Sequence, residues 1–105
     1  MTAVVAMIMH GDCLKYPPNV RVVTLVSREH PVPKGLLPGG YRADVEIAIL
    51  PDGVKCGPRV IKSSGSLTPD TIAVREAARA FNASAPASGI RPVGTYLYHV
   101  HFTPP

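Results

Sequence analysis

The sequence predicts an α+β fold: a small antiparallel sheet of three to four strands with one main helix packed on one face. Three observations point there. Several short stretches are rich in β-branched and aromatic residues. Only one stretch carries a helical repeat of apolar positions. Twelve prolines and nine glycines make a fifth of the 105 residues, which excludes a long-helix bundle or coiled coil. With 46% apolar and 17% charged residues the chain can bury a core, and its length suits one domain.

The elements follow in order. Thr2 to Met9 is a short apolar run that reads as a first strand, the remnant of a signal segment or a tail, so residues 1–15 form an extension ahead of a core module over 16–103. Tyr16-Pro17-Pro18-Asn19 is a turn. Val20 to Ser27 is a β-branched strand. His30 to Gly40 holds three prolines and three glycines and is expected to be irregular.

Tyr41 to Leu50 alternates: Ala43, Val45, Ile47 and Ile49 on one side, Arg42, Asp44 and Glu46 on the other. Asp52-Gly53 after Pro51 is a hairpin turn. Val54 to Ser63 returns antiparallel, with a bulge or one-sided pairing at Gly57-Pro58 because proline lacks the ladder donor. Ser63-Ser64-Gly65 turns the chain into a helix over Asp70 to Phe81, with Thr68 as expected N-cap and Pro69 as first helical residue. Ile72, Ala73, Ala77, Ala80 and Phe81 form its apolar face. Thr95 to Phe102 is the final strand. Tyr96, Tyr98, Val100 and Phe102 share one face, and Leu97, His99 and His101 the other.

Chemistry-bearing patterns are sparse. No run of about eighteen apolar residues exists to span a membrane. The net charge of +4 permits anion binding, yet no two of the eleven cations are adjacent, whereas a phosphate footprint clusters on one element. Trp is absent and aromatics are 6%, too few for a base-stacking platform. Nucleic acid is therefore not the expected partner. The alternative of a basic cytosolic protein holding nucleic acid or an anion would use Arg42, Lys55, Arg59 and Lys62.

No nucleophile elbow, HExxH or P-loop is present, so no enzymatic activity and no cofactor are expected. His99 and His101 lie two apart on a strand, roughly 6.5–7 Å between equivalent atoms. They could grip a metal only with a third ligand such as Cys56, Asp44 or Glu46, so a metal-dependent enzyme is the weaker alternative and no metal site is assigned. Cys13 and Cys56 can form one disulfide in an oxidising compartment or remain two buried thiols.

The stretch Tyr41 to Phe81 resembles the C-terminal domain of the TonB and TolA family of periplasmic energy transducers. The resemblance rests on the strand with Val45, Ile47 and Ile49, then Asp52-Gly53, then a return strand with Val60. Ser63-Ser64-Gly65 follows, ahead of a helix with Asp70, Ala73, Ala77 and Phe81. Tyr16-Pro17 matches a pair that opens many such domains, and Tyr96 to Phe102 falls where the family's last strand falls. The Pro/Gly loop and the strand after Tyr16-Pro17 depart from the pattern. The resemblance implies an exported, periplasmic, non-enzymatic module for transport and energy transduction. Such a module takes up an extended segment of an envelope or outer-membrane protein by strand addition. The implied edge is Tyr96, Leu97, Tyr98, His99, Val100 and His101, and pairing of two copies of the chain along it as a dimer is the lesser alternative.

Overall fold

Four β-rich stretches and one helical repeat become four strands and a helix. The computed structural model describes Cys13, residues 22–36 and residues 40–103. Within these, β1 spans Val22–Pro31, β2 Tyr41–Ile49, β3 Lys55–Lys62, α1 Leu67–Ala83 and β4 Gly94–Thr103. The expected strand at Thr2–Met9, the Tyr16-Pro17 turn and part of the Pro/Gly loop lie outside the described residues.

The sheet order is β1-β4-β2-β3. β2 runs antiparallel to both of its neighbours, β3 and β4. β1 runs parallel to β4, from Val22 opposite Thr95 to Pro31 opposite Thr103. The sheet is therefore mixed rather than wholly antiparallel. β1 and β2 run in opposite directions, so β4 between them must be parallel to one of the two; the helical crossover through α1, which brings the chain back in the direction of β3, makes that one β1. β4 thus returns parallel to β3, pairs with the far side of β2 and offers its other side to β1.

α1 packs on β2, β3 and β4 and leaves β1 largely uncovered. Its buried stripe is Pro69, Ala73, Ala77 and Phe81, an i, i+4 row whose small residues let the helix approach the sheet. Against it lie Ala43, Val45, Ile47 and Ile49 of β2 and Tyr96, Tyr98, Val100 and Phe102 of β4. Fully burying a side chain such as Ile47 or Val100 stabilises by about 1.5–3 kcal/mol.

Two boundaries differ from expectation. β1 continues through His30 and Pro31 because pairing with β4 carries it past the first proline of the loop. α1 begins at Leu67 with Ser66 as N-cap, so Thr68 and Pro69 lie inside the first turn. Proline is tolerated there because first-turn N–H groups have no intrahelical acceptor.

The hairpin between β2 and β3 is a tight turn. Gly53 N–H donates to Leu50 O at 2.8 Å, and Asp52 Oδ1 accepts from Val54 N–H at 3.0 Å. Gly53 has φ +87°, a conformation side chains rarely adopt. β3 is bulged at Gly57, where pairing slips between Glu46 and Ala48 of β2. A Cβ on Gly57 would sit 2.7 Å from Glu46 O, so the bulge needs glycine both for its φ of +98° and for this approach.

Candidate functional site

The final strand is not an edge. β4 has β1 on one side and β2 on the other, so its backbone is occupied along Tyr96 to His101. Tyr96, Tyr98 and Val100 are buried in the core, and Leu97, His99 and His101 are half-buried on the opposite face. Strand addition or dimer pairing at these residues is excluded by geometry. The resemblance implies an accessible edge there because nothing local in the sequence signals that β1 pairs with a segment some seventy positions away.

The face away from α1 carries ionic pairs. Arg42 holds Asp44 in a bidentate contact at 2.8 and 3.0 Å. His99, directly opposite Asp44, brings Nε2 to 3.8 Å from Asp44 Oδ2, and Arg42 Nη2 lies 3.3 Å from His99 Nδ1. Hydrogen bonding from Arg42 holds the Asp44 carboxyl below its ordinary value against the opposing effect of burial, with His99 adding to the effect. Arg59 pairs with Glu46 at 2.8 Å. Of the four cations that could have formed a phosphate footprint, Arg42 and Arg59 are thus neutralised on their own sheet. Lys55 Nζ lies 5.6 Å from the centroid of the Phe81 ring.

Cys56 is disulfide-bonded to Cys13, which closes the alternative of two thiols and removes Cys56 as a ligand for His99. Among the described residues no group of three or more His, Cys, Asp or Glu side chains is placed to hold a metal ion. The disulfide joins Cys13 to a small apolar cluster of Ala48, Leu50, Cys56 and Val54.

The Ser63-Ser64-Gly65 segment is a turn organised by Asp70. The Asp70 carboxylate accepts from Ser64 N–H at 2.8 Å and from the hydroxyls of Ser63 and Ser64. Ser63 Oγ in turn accepts from Gly65 N–H, and Ser64 Oγ from Ser66 N–H. Burial opposes ionisation of Asp70, but these hydrogen bonds outweigh it and lower its pKa. Both hydroxyls are committed to the turn, as local side-chain bonding at a helix start requires.

The unexpected feature lies at the other end of the sheet. Among the described residues nothing pairs with the outer side of β1. Beside it, a groove of about 490 Å³ runs between β1 and the C-terminal end of α1. Val23, Thr24, Val26 and Arg28 of β1 form one wall. Ala80 and Ser84 at the helix end, with Pro86, Arg91 and Pro92 of the following loop, form the other. Tyr96 and Tyr98 complete the lining. Tyr98 is 1% exposed, and its hydroxyl has no hydrogen-bond partner among the described residues. Tyr96 by contrast donates to Pro92 O at 2.6 Å.

Compared with family models, curated proteins and solved structures, the chain matches none. The likeness to the TonB and TolA C-terminal domain therefore rests on the residues between Tyr41 and Phe81 and their flanking pieces alone. The groove residues lay beyond sequence reasoning: Arg28 and Arg91 come from opposite ends of the described chain. The nearest signal was the run of small residues and prolines after α1, which keeps the chain irregular beside the sheet.

Proposed function

We propose that the protein is a non-enzymatic interaction module that takes up an extended segment of a protein partner along the outer side of β1. The observation that carries this reading is the contrast between the two edges of the sheet. β3 has the features that discourage pairing: Pro58, a bulge at Gly57, and Lys55, Arg59 and Lys62 along its length. β1 is ten residues long and pairs regularly from Thr24 to Pro31. Val22 and Leu25 are more than half exposed on it, and the groove lies alongside. An added strand gains main-chain hydrogen bonds from such an edge and specificity from alternate side chains.

The partner we propose is an envelope protein segment, in line with the family likeness and its association with transport and energy transduction. The disulfide favours an oxidising compartment, hence the periplasm over the cytosol, because cytosolic thiols are kept reduced. The competing reading, a basic protein for nucleic acid or another polyanion, loses support from the internal pairing of Arg42 and Arg59.

Amide hydrogen exchange followed by NMR tests the reading. The probe is a blocked heptapeptide of alternating threonine and valine. Alternate β1 amides, those directed away from β4, are expected to gain protection when it is added. Protection confined to β3, or absent everywhere, overturns strand addition on β1. Shifts around Lys55 and Lys62 with an oligonucleotide, falling steeply with salt, would favour the polyanion reading instead.

A further inference from the structure

We infer that the segment taken up on β1 carries a carboxylate side chain, received in the groove by Arg28 and the Tyr98 hydroxyl. The inference rests on strand addition at β1 and specifies its ligand.

Thr24, Val26 and Arg28 stand opposite Tyr96, Tyr98 and Val100 of β4, so all three lie on the side of the sheet that faces α1. A strand added outside β1 would run about 4.8 Å away, with directly opposed Cβ atoms about 4.5–5.5 Å apart. Its helix-side residues therefore meet Thr24, Val26 and Arg28 in turn. The neighbour of Val26 gains by being apolar. Two residues along the strand, the neighbour of Arg28 gains by being acidic, since opposite charges stabilise a cross-strand pair.

Arg28 is exposed and has no ion-pair partner among the described residues. None of the residues lining the groove is acidic, while two are arginines. The Arg91 guanidinium is fixed against the Phe81 ring, so it adds positive charge without having to be ordered on binding. The Tyr98 hydroxyl lacks a hydrogen-bond partner among the described residues although the side chain is almost wholly buried. Buried hydroxyls are ordinarily bonded, and a phenol O–H can donate to a carboxylate. Apolar walls around these groups strengthen such a charge-assisted bond.

The test uses the threonine–valine heptapeptide with one position, two residues from a valine, made glutamate, glutamine or lysine. Affinity is read by fluorescence anisotropy and the docking site by β1 amide protection. Glutamate is expected to bind roughly tenfold tighter than glutamine, as a hydrogen-bonded charge pair warrants. Lysine is expected to bind weakest. Arg28→Gln should erase the difference between glutamate and glutamine, and Tyr98→Phe should narrow it. Equal affinity for glutamate and glutamine, with β1 still protected by both, overturns the carboxylate site but leaves strand addition standing. If no peptide protects β1, strand addition falls and the carboxylate site with it.

Discussion

The Arg91 guanidinium lies 3.7 Å from the centroid of the Phe81 ring, and its Nη2 donates to the Phe81 carbonyl. One side chain thus covers the aromatic end of α1 and adds a cationic donor to a carbonyl that Ser84 already caps through its N–H and hydroxyl, while the last turn of the helix itself contains no basic residue. The Phe81 ring also meets Tyr96 edge-on at 5.2 Å, so the loop after α1 is held to the helix and the sheet together.

Removing that contact should loosen the groove wall. Arg91→Ala is expected to cost about 1–2 kcal/mol, the sum of a cation–π contact and a carbonyl hydrogen bond. Arg91→Lys keeps the charge but not the planar guanidinium and should recover only part of this. Urea denaturation measures both, and amide exchange at residues 84–93 should quicken in each.

Gly57→Ala is expected to destabilise by about 1–3 kcal/mol from backbone strain alone. The new Cβ then has to displace the backbone of β2 at Glu46, so the loss should exceed that of Gly53→Ala, whose site has open space around it. A thermal-melt comparison of the two variants isolates the contribution of close packing from that of φ.

Asp70 and Asp44 set the acid limb of stability. Both carboxyls titrate lower in the folded chain than their ordinary value of about 4. Their contribution is complete above that ordinary value and is lost as pH falls through the depressed folded values. Asp70→Asn should cost about 1 kcal/mol at neutral pH, through lost charge at a helix start and a weaker acceptor for Ser63 and Ser64. The variant should also show a flatter decline of stability below pH 4, measurable by denaturation at a series of pH values.

The Cys13–Cys56 bond closes a loop across a separation of 43 positions. Chain-entropy reasoning assigns such a loop about 4 kcal/mol, comparable to much of the stability of a domain this size. Replacing both cysteines with serine should lower the denaturation midpoint correspondingly, and reductant should have no further effect on that variant.

Tyr98→Phe is expected to be neutral or slightly stabilising in the free protein. It removes a buried hydroxyl that has no hydrogen-bond partner among the described residues and leaves the ring in place. A loss above 1 kcal/mol would show that the hydroxyl serves the fold, and that its place in the groove is structural.

Local periodicity made much of the fold legible. The alternation from Ala43 to Ile49 identified the buried face of β2, and Tyr96, Tyr98, Val100 and Phe102 that of β4. Ala73, Ala77 and Phe81 marked the helix stripe because the 3.6-residue period is a property of neighbours in sequence. What depended on distant pairing was not legible. Asp44 reads as a solvated residue from its strand, yet it is buried because Arg42 and His99 satisfy its oxygens. The partner of β1 is equally non-local, and with it the position of the edge that is unpaired among the described residues. The groove inherits that blindness, since Arg28 and Arg91 come to line it together only after β1 has joined β4.

The position of β4 has a further consequence for the order of events during synthesis. Of the described strands it is the last to be made, yet it fills the middle of the sheet. Until it emerges, β1 has no neighbour among the described strands, and the β2–β3 hairpin is a pair of strands of the kind that is marginal alone in water. Among the described elements, β1 and the β2–β3 hairpin under α1 are therefore joined into one sheet only by the strand made after them all.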